Sequence, residues 1–91
     1  MTRYTVTYTS IAENDLTREW LNAPDRIAVN QAAYQIDREL KSDASQKGTE
    51  VREGLRQLVV PPLKVQFTVE EDDRTVTIWS VRHVGELTNG R

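Results

Sequence analysis

The stretch LKVQFTVEEDDRTVTIWSVRH runs from Leu63 to His83 and carries the plainest structural pattern in the chain. Leu63, Val65, Phe67 and Val69 alternate with Lys64, Gln66 and Thr68, the period of a strand with one apolar and one polar face. Glu70 to Arg74 interrupt the pattern with polar residues suited to a turn, and Thr75 to His83 form a second run rich in β-branched and aromatic residues. Two such runs across a short polar turn predict an antiparallel hairpin. One side of it must be buried and the other, carrying Lys64, Gln66 and Thr68, is available.

Working upstream, LRQLVV (55–60) is consistent with a shorter strand, in a region that turns to β from about Val51. Pro61 and Pro62 cannot donate to a central ladder and so belong at an entry, edge or bulge. KSDASQKG (41–48) is a breaker rich in Ser, Asp and Gly, before which the period changes from two to that of a helix. Val29, Ala33, Ile36 and Leu40 recur at spacings of four, three and four, predicting a helix that starts near Pro24 or Asp25 and buries one narrow stripe. Before it, Ala12, Leu16 and Trp20 define another helix. Ser10 with Glu13 suggests a capping box at its start, and NAP (22–24) ends it. Tyr4, Val6 and Tyr8 alternate with Thr5 and Thr7 in a first strand. The order β-α-α-β-β-β implies an α+β fold in which a two-helix hairpin packs on one face of a small, mainly antiparallel sheet. No repeat or linker divides residues 1–91, so a single domain is expected.

Composition narrows the function. With 37% hydrophobic and 29% charged residues interspersed periodically, the chain is globular rather than disordered. It has no cysteine, which excludes disulfide frameworks, thiolate metal sites and thiol nucleophiles. A net charge of -2 argues against a protein that coats nucleic acid by charge alone. Charge is uneven, however: between Lys41 and Gln66 the cations Lys41, Lys47, Arg52, Arg56 and Lys64 outnumber the anions Asp43, Glu50 and Glu53. MTRYTVTYTS lacks the apolar core of a signal peptide and no run approaches the length of a membrane span, so a cytoplasmic protein is expected. No cofactor-binding motif is present, and the consecutive carboxylates of EEDD (70–73) lack the His or Asn partners of a metal cage, so no cofactor and no metal are expected.

The succession resembles the RelE/ParE superfamily, the toxins of bacterial type II toxin–antitoxin and plasmid-stabilisation modules. The resemblance is carried by YTVTYTSIAENDLTREW with its Asp15-Leu16 pair and Trp20, by the Gly48 region, and by PLKVQFTVEEDDRTVTIWSVRH. It spans nearly the whole chain. It implies a cognate antitoxin as partner, and one of two activities. RelE-like members cut mRNA on the ribosome as metal-independent endoribonucleases, whereas ParE-like members share the fold and poison DNA gyrase by contact. A homologue without toxic activity is the further alternative, and fold alone does not choose among them.

For the nuclease, the resemblance places candidates at His83, Lys64, Arg56 and Glu53, with Arg52, Lys47, Gln66 and Arg82 contacting RNA or another target. Cleavage without a metal needs a group to take the 2′-hydroxyl proton, cations for the phosphorane, and an acid for the leaving oxygen. His83 has a reference pKa near 6.5, suited to acid or base work, but a lone histidine also closes strands. Lys64 stands where the family often has a phosphate-facing arginine, and it supplies charge without the bidentate fork. Glu50, Arg52, Glu53 and Arg56 equally suit a solvated ion-paired face. Trp79 suits core packing as well as base stacking. The chain departs from RelE-like nucleases at Val84, where an arginine is usual, and in GELTNGR (85–91), which lacks the C-terminal tyrosine. Arg82 is the substitute cation, on the face opposite His83 unless a bulge intervenes.

Overall fold

The computed structural model describes residues 3–84. Strand β1 (Thr5–Tyr8) leads into helix α1 (Ser10–Asn22), which is capped by Thr9, whose hydroxyl oxygen accepts a hydrogen bond from the Ala12 amide at 3.0 Å. The cap thus lies one residue before the expected Ser10, and Glu13 stands one position too late to complete a capping box. Helix α2 (Arg26–Leu40) begins after Asp25, whose carboxylate accepts from the Ala28 amide at 3.1 Å. Arg26 ties the two helices: its guanidinium donates to the Trp20 and Leu21 carbonyls and lies 4.5 Å from the Trp20 ring centre. Both carbonyls belong to the last turn of α1, where that of Trp20 also accepts from the Ala23 amide at 3.4 Å.

After a short 3₁₀ turn at Ala44–Gln46, the chain forms β2 (Thr49–Arg52), β3 (Leu55–Val60), β4 (Leu63–Glu70) and β5 (Thr75–His83). The five strands lie in the order β1-β5-β4-β3-β2, with β1 parallel to β5 and the rest antiparallel. The expected α+β arrangement holds, with one strand more than the sequence shows. Every residue of β2 is exposed, so TEVR has no apolar alternation to betray it. Two features of the preceding turn and of β3 hold it in register. Gly48 has φ +66°, and a Cβ there would lie 2.1 Å from the Gln57 carbonyl oxygen, so only glycine allows this close approach. Arg56 donates from Nε to the Lys47 carbonyl at 2.8 Å and from Nη2 to the Gly48 carbonyl at 3.1 Å.

The core lies between the sheet and the helix pair. Phe67, Leu63 and Val65 from β4, Val76, Ile78 and Val81 from β5, and Ile36 and Leu40 from α2 are its largest fully buried side chains. Each buried side chain of this size contributes about 1.5–3 kcal/mol. The predicted α2 stripe is seen at Val29, Ile36 and Leu40, joined by Ala32, while Ala33 packs only at the margin. Pro61 and Pro62 form the turn between β3 and β4. Among the described residues no helix is long and apolar enough to cross a membrane.

One irregularity governs everything beyond it. Gln66 faces Ser80 but Phe67 faces Ile78, so Trp79 is an extra residue on β5 and makes a bulge. Before it Val76 and Ile78 point into the core; after it Val81 does. The parity of the last residues of β5 is therefore reversed.

Candidate functional site

The helices cover one face of the sheet, and among the described residues no element crosses the other. Register places Lys64, Gln66 and Thr68 on this open face, because Leu63, Val65 and Phe67 are buried. Across β5, Lys64 stands opposite Arg82 and Gln66 opposite Ser80. Across β3, Lys64 stands opposite Val59 and Gln66 opposite Gln57. Gln66 is the centre of an amide and hydroxyl row, 3.5 Å from both the Gln57 amide oxygen and the Ser80 hydroxyl.

The bulge puts Trp79 on the same face, half exposed, with its indole N–H donating to the Thr68 hydroxyl at 2.9 Å. Trp79 is therefore not a core residue. An aromatic in a run of Thr, Val and Ile suggests burial, and only the register shift turns it outward.

Arg82 rises from the open face, and its guanidinium reaches the β5 edge, 3.6 Å from Asp15. Asp15 is buried in α1, where β1 has ended and the helix takes over the edge of β5. Its carboxylate accepts from the Val81 amide at 3.2 Å and from the Arg18 guanidinium at 3.0 Å. Burial pushes the carboxyl pKa up, but the Val81 amide and the Arg18 and Arg82 guanidiniums outweigh that and hold it below the ordinary carboxylate range. Asp15 thus joins the helix to the sheet and draws the Arg82 guanidinium toward the β5 edge. The sequence signal was an acid beside Ala12 and Leu16 within the buried stripe.

The remaining candidates are not gathered here. His83 follows the parity of Val81 and pairs with Leu63, so it turns to the helix side of the sheet, where its ring lies 3.8 Å from Glu19 of α1. The imidazole is 54% exposed at the strand end, on the side opposite Arg82. Arg56 pairs with Phe67 and points to the helix side as well, where the two carbonyls of the 47–48 turn engage it. Of the strand residues among the four catalytic candidates, Lys64 therefore stands on the open face while His83 and Arg56 turn to the helix side. Glu53 lies in the β2–β3 turn, roughly 25 Å from His83 by strand rise and spacing. Lys47 pairs with Glu39 at 3.1 Å and lines a groove of about 430 Å³ along α2, away from the open face. Arg52 shares the open face through its pairing with Leu55, but on the outermost strand, roughly 16 Å from Lys64. GELTNGR lies outside the described residues.

What remains on the open face is a cross-strand pair of cations, a row of amides and hydroxyls, and a tethered indole. Such a surface can bind a polyanion, neutralise a phosphate and stack a planar ring.

No family model matches the sequence, and no curated protein matches it. Solved structures do match the fold. The RelBE2 toxin–antitoxin complex of Mycobacterium tuberculosis includes a chain that superposes with a TM-score of 0.75 at 23% identity, covering 91% of this chain and 93% of that one. A chain of the chromosomal ParDE system of P. aeruginosa gives 0.68 at 18% identity, covering 93% and 100%. The isolated E. coli RelE toxin gives 0.62 at 12% identity, covering 93% and 88%. The fold is that of the RelE and ParE toxins.

Proposed function

We propose that this chain, built on the RelE/ParE fold, is the toxin of a type II toxin–antitoxin module and acts on mRNA at the ribosome through the open face of its sheet. The observation that carries this is the Lys64–Arg82 pair. Two cations stand opposite one another on neighbouring strands, on a face that no described element covers, with the Arg82 guanidinium also 3.6 Å from the Asp15 carboxylate. A phosphate bridging the two side chains draws on both charges. The similarity to chains of toxin–antitoxin complexes supports a cognate antitoxin as the partner that silences the toxin.

In the proposed reaction the 2′-oxygen of the mRNA forms a bond to the neighbouring phosphorus and the bond to the 5′-oxygen breaks. The hydroxyl proton ends on the departing 5′-oxygen. Lys64 and Arg82 act on the charge that grows on the phosphorane, Lys64 as a mobile point charge and Arg82 as a planar fork held by Asp15. Gln66 and Ser80, in the adjoining row, contact the same strand. Arg56 serves the fold, and His83 stands outside the phosphate site. The rate then rests mainly on charge stabilisation, and removing either cation should cost about 10²–10³.

The test is primer extension on an mRNA incubated with ribosomes and the purified protein. Cleavage that depends on ribosomes and falls at least a hundredfold in Lys64→Ala is expected. Wild-type silence on ribosome-bound mRNA, with inhibition of DNA gyrase instead, would move the protein to the ParE-like activity.

A further inference from the structure

Trp79 is the residue that the phosphate site leaves unexplained. A tryptophan at 50% exposure on a polar sheet face gives up about half of the stabilisation its full burial would bring. Yet it is held, not loose: the indole N–H is tied to the Thr68 hydroxyl on the neighbouring strand, which fixes the polar edge of the ring and leaves ring surface open to solvent. It sits where the bulge adds a residue to β5, and bulges re-aim side chains at such places. Along the same face lie the cations Lys64 and Arg82, about 10–13 Å away by strand rise, with the Gln66 amide between and that of Gln57 beyond it on β3.

A fixed aromatic ring beside cations and amides on an open sheet is the pairing that binds single-stranded nucleic acid, bases on the ring and backbone on the charges. We infer that Trp79 is a base-stacking subsite for an unpaired base of single-stranded RNA, set one to two nucleotides from the phosphate held by Lys64 and Arg82. The charges suit this occupant: of the charged residues on β4 and β5 facing this side, the only acid is Glu70, at the far end by the hairpin turn. The subsite rests on the RNA-directed reading given above, and it names what that reading lacked, a contact to a base.

Tryptophan fluorescence measures it directly on the free protein, without ribosomes. The chain has two tryptophans, and Trp20 lies between the helices on the other side of the sheet, packed by Arg26. A single-stranded RNA octamer should quench wild-type fluorescence, and Trp79→Phe, which leaves Trp20 alone, should abolish the quenching. By anisotropy of a labelled octamer, Trp79→Phe should bind within a few-fold of wild type, because a ring remains. Trp79→Leu should bind about 5- to 150-fold more weakly. Duplex RNA of the same length should quench little, its bases being stacked already. Circular dichroism melts of both variants establish that they are folded.

No quenching by single-stranded RNA, or equal affinity of folded Trp79→Phe and Trp79→Leu, would overturn the subsite. Either result with ribosome-dependent cleavage intact leaves the toxin reading standing. Aromatic-dependent binding without cleavage supports the subsite and counts against the nuclease.

Discussion

Removing the Asp15 carboxylate tests how the helix pair is fastened to the sheet. In Asp15→Ala the Val81 amide, buried at the β5 edge, loses its acceptor at 3.2 Å, and the α1–β5 junction loses its one buried charge. A buried unsatisfied donor costs about 1–3 kcal/mol, and a hydrogen bond to a charged acceptor sits at the upper part of that range. The Arg18 and Arg82 side chains are 56% and 60% exposed, so solvent screens their attraction and each adds at most about 1 kcal/mol. The total is about 2–4 kcal/mol. For a domain of this size that lowers the melting temperature by roughly 10–25 °C. Asp15→Asn keeps an oxygen for the Val81 amide but turns an amide N–H₂ toward the guanidiniums, and should cost only about 1–2 kcal/mol. Urea unfolding followed by circular dichroism measures both, and the slope with denaturant should not change. A loss under about 0.5 kcal/mol in Asp15→Ala, or equal losses in the two variants, would refute the assignment of the stability to that amide bond.

Other consequences are as direct. Because the Asp15 pKa is held down in the folded state, its contribution is complete above the unfolded carboxylate pKa of about 3.9 and is lost as pH falls through the lower folded value. The stability difference between wild type and Asp15→Asn, followed by urea unfolding from pH 6 downward, should therefore shrink below about pH 4; a difference that grows there would reverse the sign. Gly48→Ala drives a Cβ into the Gln57 carbonyl at a positive φ, and should cost more than about 3 kcal/mol, visible as loss of soluble protein or of cooperative melting. Arg56→Ala frees two carbonyls of the 47–48 turn and should cost about 1–3 kcal/mol while cleavage per folded molecule stays within a few-fold of wild type. His83→Ala should likewise leave cleavage within a few-fold.

The layers of this fold follow from local patterns. Leu63 to Val69 alternate cleanly, so the faces of β4 were legible, and with them the open positions of Lys64, Gln66 and Thr68. The α2 stripe was legible for the same reason. The site was less so, because its geometry depends on a bulge. One extra residue at Trp79 reverses the parity of β5, sending Arg82 to the open face and His83 to the helices. No local composition marks that position, since Trp-Ser fits an unbroken strand as well. Arg56 shows the same difficulty from the other direction. Within LRQLVV (55–60) an arginine suggests a solvated charge, and its partners are backbone carbonyls nine and eight residues away. Edge strand β2 went unseen because pairing with β3, and not burial of its own side chains, defines it.

Lys64 and Arg82 on the open sheet face are the proposed working surface. The most direct measurement is growth and transcript integrity in bacteria induced to make wild-type protein or Lys64→Ala/Arg82→Ala, with folding of both confirmed by melting. Arrest with cleaved mRNA in the wild type, and normal growth with intact mRNA in the double variant, is the expected result. Arrest of equal strength in both, or none in the wild type, would contradict it.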